Sequence, residues 1–133
     1  MSRPTPFVSD PQAGERAWAV YIRDMIDACE RVVSYTDGMD QASFLADRRT
    51  YDAALRNVGI VGEAARRIPE SVHVSQSQIP WRAIIGARNR VIHAYMGLDD
   101  DVIWSIVSDD IPRLLPLLEA LLDTPEPDSA RAE

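Results

Sequence analysis

The chain has one cysteine, no lysine and no hydrophobic run close to the length of a bilayer span. Each scarcity removes a class of protein. A lone Cys29 excludes an intrachain disulfide and a cysteine-based zinc site. It falls on an apolar helical stripe, where a thiol serves as a small hydrophobe. The absence of about 20 consecutive apolar residues argues against a membrane-spanning helix. The first residues, MSRPTPFVSDPQAG, hold three prolines and no apolar h-region, so they do not read as a signal peptide. A cytoplasmic location is the simplest expectation. No segment alternates with period two and no internal repeat is visible, which leaves little room for a sheet or a solenoid. No glycine-rich phosphate loop and no metal-ligand cluster appears, so neither cofactor nor metal is expected.

What is present is unevenly charged. The net charge is -7, and all 14 basic residues are arginine. Residues 98 to 133 hold ten of the 21 acids and only Arg113 and Arg131 among the bases. The body is therefore near neutral and the end acidic, which disfavours avid non-specific binding to nucleic acid but not a local basic site. Arginine favours planar, bidentate contacts wherever contacts are made.

The length of 133 residues suits one domain. Residues 1–14 resemble a flexible arm, 15–123 a helical domain and 124–133 an acidic tail. Trp18, Tyr21, Ile22, Met25, Cys29, Val32 and Val33 follow one face of a first helix, which TDGMD at 36–40 interrupts. A second helix is predicted from about Asp47 to Ile68, with Tyr51, Leu55, Val58, Gly62 and Ala65 inward. Gly59 and Gly62 cost helix propensity there, so both are expected to permit close packing. PESVHVSQSQIP reads as a polar loop, with His73 exposed in it. Pro80 opens a third helix. MGLDDD closes it and starts a fourth, from about Asp100 to Leu122, with acids at its positive end. Pro112 and Pro116 are expected to kink or split that helix. The pattern predicts an all-α fold, an up-and-down four-helix bundle.

The stretch GARNRVIHAYMG, Gly86 to Gly97, carries the chemistry. On a helical wheel centred on Arg88, the residues Trp81, Ile84, Ile85, Val91, Ile92, Tyr95 and Met96 all lie within roughly 80° of it. A charge in the middle of an apolar face needs a partner or a polar cleft. Asn89 and His93, four apart, share one flank. Two explanations fit. Either Arg88 snorkels or pairs with a core carboxylate and His93 is a flank residue, or the face is partly an interface at which two chains bring their Arg and His into one cleft.

At these residues the chain resembles a family. RNRVIHAY matches the R-x4-H-x-Y signature of HepT-like toxins, in the HEPN superfamily of helical ribonucleases. VGIVGEAARRIP looks like that family's second helix, and IPWRAIIGARNRVIHAYMGLDDDVIWSIVSDDIPRLLPLL like its third and fourth. The likeness runs from Trp18 to Leu121. It implies a metal-independent endoribonuclease acting as a homodimer. RNA cleavage takes a proton from the 2′-OH and gives one to the departing 5′-oxygen. Histidine moves protons near neutral pH, and arginine binds phosphate oxygens with a fixed fork of donors. The resemblance therefore implies proton transfer for His93 and phosphate binding for Arg88, with Asn89 and Glu63 in support. It further implies an MntA-like nucleotidyltransferase antitoxin that modifies Tyr95. The competing possibility is a non-catalytic helical dimer that binds such a nucleotidyltransferase or a nucleotide.

Other residues have plainer readings. Arg48, Arg49, Arg56, Arg66 and Arg67 share one side of the second helix, a possible RNA track. Asp52 and Glu63 precede Arg56 and Arg67 by four, so ordinary solvent-face pairing is preferred. Trp18, Trp81 and Trp104 sit at core spacing rather than as a base-stacking platform.

Overall fold

A computed structural model describes residues 17–97 and 99–123. The arm at 1–14 and the tail at 124–133 lie outside the described residues. Within them all regular structure is helical: α1 (Ala19–Thr36), α2 (Gln41–Ala46), α3 (Arg48–Arg67), α4 (Glu70–Ser75), α5 (Trp81–Tyr95), α6 (Asp100–Ser105), a π turn (Ile106–Asp110) and α7 (Ile111–Asp123). The all-α class is as the sequence predicts.

The core follows from helical periodicity. Ile22, Met25, Cys29 and Val32 on α1 are fully buried, as are Leu55 and Ala65 on α3. The helix α1 lies between α3 and α7, and α5 packs on the other side of α3. Burial pushes the Cys29 thiol up to about 12, with a smaller push from Glu30. Such a thiol is inert and purely a packing group.

Two short helices escape the periodicity. The helix α2 starts from a capping box: the Asp40 carboxylate accepts from the Ser43 amide at 2.8 Å, and the Ser43 hydroxyl lies 3.0 Å from the Asp40 amide. Its one buried residue, Phe44, packs against Tyr51 and Trp104 with ring centroids 5.3 Å away in each case. The segment expected to be a polar loop contains α4, which buries Val72. His73 is accordingly not exposed. Its side chain is only 14% accessible and stacks on Trp81 at 4.4 Å. Its Nε2 lies 3.1 Å from the Ala65 carbonyl. Its Nδ1 lies 3.5 Å from Glu70 Oε1, so both ring nitrogens face acceptors.

The glycines of α3 differ. A Cβ on Gly62 would lie 3.0 Å from the Ile84 carbonyl oxygen and 3.8 Å from the Arg88 amide, while one on Gly59 would meet nothing within 4 Å. Only Gly62 therefore serves close packing, and it brings α3 against the backbone of α5. In the last helix the break precedes Pro112. Proline lacks an N–H and its ring crowds the carbonyl four residues earlier, so the ladder widens ahead of it. The Ile111 amide then donates to the Ile106 carbonyl. Pro116 stays inside α7 without ending it.

Candidate active site

The helix α5 has two kinds of apolar surface. Trp81, Ile84, Val91 and Ala94 are buried against the rest of the chain. Ile92, Tyr95 and Met96 are 50%, 60% and 68% exposed. Arg88 belongs with the second group. Its side chain is 61% accessible, so the middle of the apolar sector on the wheel is not the middle of the core. The sector is wider than the surface that α3 covers.

Arg88 does meet a carboxylate. Its Nη1 lies 3.4 Å from Glu63 Oε1. Glu63 follows Gly62, so the close approach of α3 to α5 delivers its side chain to Arg88. The other carboxylate oxygen takes Arg66 at 2.8 Å and Arg67 at 3.4 Å. The Arg66 hydrogen bond leads, with the charges of Arg66 and Arg67 behind it, in holding the Glu63 carboxyl below its usual range against a smaller desolvation. Three guanidinium groups thus surround one carboxylate and leave the cluster net positive. The pairing of Glu63 with Arg67 is as the spacing predicts. Asp52 and Arg56 form no ion pair among the described residues.

His93 stands in the last turn of α5. Its side chain is 53% accessible, and Nδ1 lies 3.3 Å from Asp99 Oδ2. Asp99 is the residue that sequence reasoning misses. In MGLDDD the three aspartates look alike, as acids at a helix start. Two backbone turns of positive φ, Gly97 at 78° and Asp99 at 66°, fold one of them back onto His93. Gly97 alone signals this turn in the sequence.

Asn89 and Tyr95 are exposed, and neither side chain makes a hydrogen bond among the described residues. Within one chain, then, Arg88 and His93 engage different carboxylates, and the site faces solvent. On the face of α5 turned away from Arg88, a cavity of about 680 Å³ lies between α5 and the α6–α7 segment, floored by Val58 and Val61 of α3. Arg82, Arg90 and Arg113 stand at this cavity with Asp110. Partial burial, then the Asp109 charge, raises the Asp110 carboxyl. Among the described residues no group of three or more His, Cys, Asp or Glu could hold a metal ion. No described helix is long and apolar enough to cross a membrane.

Comparison with known proteins addresses the same region. A protein from Thermococcus cleftensis named a probable ribonuclease HepT is 36% identical over 107 residues, covering 80% of this chain and 97% of that protein. A Methanocaldococcus jannaschii protein named provisionally as an RNase is 28% identical over 102 residues, 77% of this chain and 84% of its own length. Another from Caldanaerobacter subterraneus, named in the same way, is 28% identical and covered over 91%. No solved structure matches the chain. The model of the family described as ribonuclease HepT-like matches residues 25–121, which include α3 with its Gly62–Glu63 pair and all of α5. The chain belongs to the HepT-like ribonuclease family, within the HEPN superfamily.

Proposed function

We propose that this protein is a metal-independent endoribonuclease, the toxin of a cytoplasmic toxin–antitoxin pair, with Arg88 and His93 as its reacting groups. The observation that carries the proposal is their placement. Both project to solvent from one helix of a ribonuclease-family chain. The chemistry needs nothing else of them. An RNA phosphate exchanges with Glu63 for the Arg88 guanidinium, helped by the surplus positive charge of Arg66 and Arg67. His93 takes the 2′-OH proton. The 2′-oxygen then bonds to phosphorus as the P–O5′ bond breaks, and the protonated His93 ring gives its proton to the departing 5′-oxygen. Asn89, one residue from Arg88, orients the phosphate or the ring.

One chain offers few groups, and Ile92, Tyr95 and Met96 form an uncovered apolar border around Arg88. A homodimer that covers this border with a second copy of α5 would bring two Arg–His sets together. The Tyr95 hydroxyl is open to an MntA-like nucleotidyltransferase partner. A nucleotidyl group added there places phosphate beside Arg88, where it competes with RNA.

The test is made in cells. Expression alone should slow growth, and His93→Ala should relieve it. Co-expression with a nucleotidyltransferase encoded beside the gene should restore growth, and mass spectrometry should find the added mass on Tyr95. Toxicity undiminished in folded His93→Ala and Arg88→Ala would refute the enzyme. Suppression with Tyr95 unmodified would show neutralisation by complex formation.

A further inference from the structure

We infer that Asp99 is a positioning residue for His93: its carboxylate accepts the Nδ1 proton, fixes the ring and leaves Nε2 as the atom that exchanges protons with RNA. The inference rests on the ribonuclease reading of His93 and adds a residue to it. Its first support is the contact itself, 3.3 Å between His93 Nδ1 and Asp99 Oδ2. A neutral imidazole carries one ring proton, and a carboxylate can only accept. The pair therefore selects the Nδ1–H tautomer. Among the described residues Nε2 has no partner, and the ring is 53% accessible. The lone pair thus points to where substrate would arrive. When Nε2 takes a proton, the positive charge that appears on the ring faces a carboxylate already in place.

The second support is what Asp99 does not do. It occupies the cap position before α6, yet its side chain makes no capping hydrogen bond. Aspartates at the same position elsewhere in the chain behave differently. Asp40 accepts from the Ser43 amide at 2.8 Å and Asp47 from the Thr50 amide at 3.2 Å. An N-cap aspartate ordinarily turns onto its own helix. Asp99 turns away from α6 and toward α5.

The third support is the backbone. Asp99 is the only non-glycine residue with positive φ among the described residues. Glycine adopts left-handed geometry freely, and among residues with a Cβ only asparagine and aspartate visit it with any regularity. The turn alone gives no reason for aspartate over glycine. The carboxylate's contact with His93 supplies one.

The test uses the full chain with ¹⁵N-labelled histidine, and two variants. Asp99→Gly keeps the turn and removes the acceptor. Asp99→Asn keeps the shape and lets an amide N–H face Nδ1 instead. Long-range ¹H–¹⁵N spectra, recorded where the ring is neutral, read the tautomer of His93 directly. Wild type should carry its proton on Nδ1, and both variants should move it to Nε2. Cleavage of a single-stranded RNA oligonucleotide by the same samples should lose about tenfold or more in kcat, part of what general acid–base catalysis supplies, with KM little changed. A wild-type ring protonated on Nε2 would overturn the inference. So would a tautomer that ignores both substitutions while RNA is still cleaved. A ring that responds to Asp99 in a protein that cleaves no RNA would instead overturn the ribonuclease reading and leave the pairing intact.

Discussion

The two ends of α5 place two histidines in opposite circumstances. At the N-terminal end Trp81 is buried, and His73 of α4 lies flat on it. Both nitrogens of His73 face acceptors, the Ala65 carbonyl at Nε2 and Glu70 at Nδ1, and the ring is 14% accessible. At the C-terminal end Ile92, Tyr95 and Met96 are uncovered, and His93 is half open and held by a carboxylate. A histidine stacked on an aromatic ring and engaged at both nitrogens is a building element. One held at a single nitrogen, with the other facing water, is equipped for proton transfer. The difference comes from the neighbours, because the residue type is the same.

The sharpest way to break this contrast is chemical modification. Diethyl pyrocarbonate should modify His93 in the native protein and spare His73 until unfolding, as read by peptide mass spectrometry. Equal reaction of both rings would mean that the contrast does not exist in solution. A smaller effect is expected from Gly62→Ala. Its Cβ would press on the Ile84 carbonyl at 3.0 Å, and backbone cannot swing aside as a side chain can. A loss of about 1–3 kcal/mol in denaturant unfolding is expected. Gly59→Ala meets nothing and should stabilise the helix by up to about 1 kcal/mol.

How much of this was legible beforehand depended on length and on neighbours. The helices α1, α3 and α5 are long enough for their apolar spacing to show, and their predicted limits fall within a few residues of the observed ones. The six-residue helices α2 and α4 complete less than two turns, too few for a period to emerge. Missing α4 put His73 in a loop, since only a helix there turns its ring onto Trp81. The wheel located Arg88 correctly within an apolar sector. It could not reveal that α3 covers only part of that sector. Gly59 and Gly62 look equivalent in sequence because the difference lies in α5. Asp99 was hidden among identical neighbours, distinguished only by a backbone angle.

His73→Ala would sharpen the comparison from the other side. It removes a stacked ring and a hydrogen bond, so a stability loss of about 1–2 kcal/mol is expected, with RNA cleavage per folded molecule unchanged. A parallel loss of kcat would assign His73 a role at the site. The smallest effect expected is that of acid. The carboxyls of Asp40, Asp47 and Glu63 are held low in the folded chain by the Ser43 amide, the Thr50 amide and Arg66 respectively. Carboxyls with a depressed folded pKa add stability that is present above their ordinary unfolded value, near 4, and lost as pH falls through the lower folded value. Thermal melts from pH 5 downward should show this slope, and Glu63→Gln combined with Asp40→Asn and Asp47→Asn should flatten it. An unchanged slope would place the acid sensitivity elsewhere.

The most direct measurement is cleavage of single-stranded RNA by the purified protein in excess EDTA, run beside folded His93→Ala and Arg88→Ala at equal concentration. Wild type should cleave at its full rate in the chelator. His93→Ala should fall by about 100-fold or more, the scale of a lost general acid–base group, and Arg88→Ala should fall with it. Cleavage that stops in EDTA and returns with magnesium, or that continues undiminished without His93, would contradict the account.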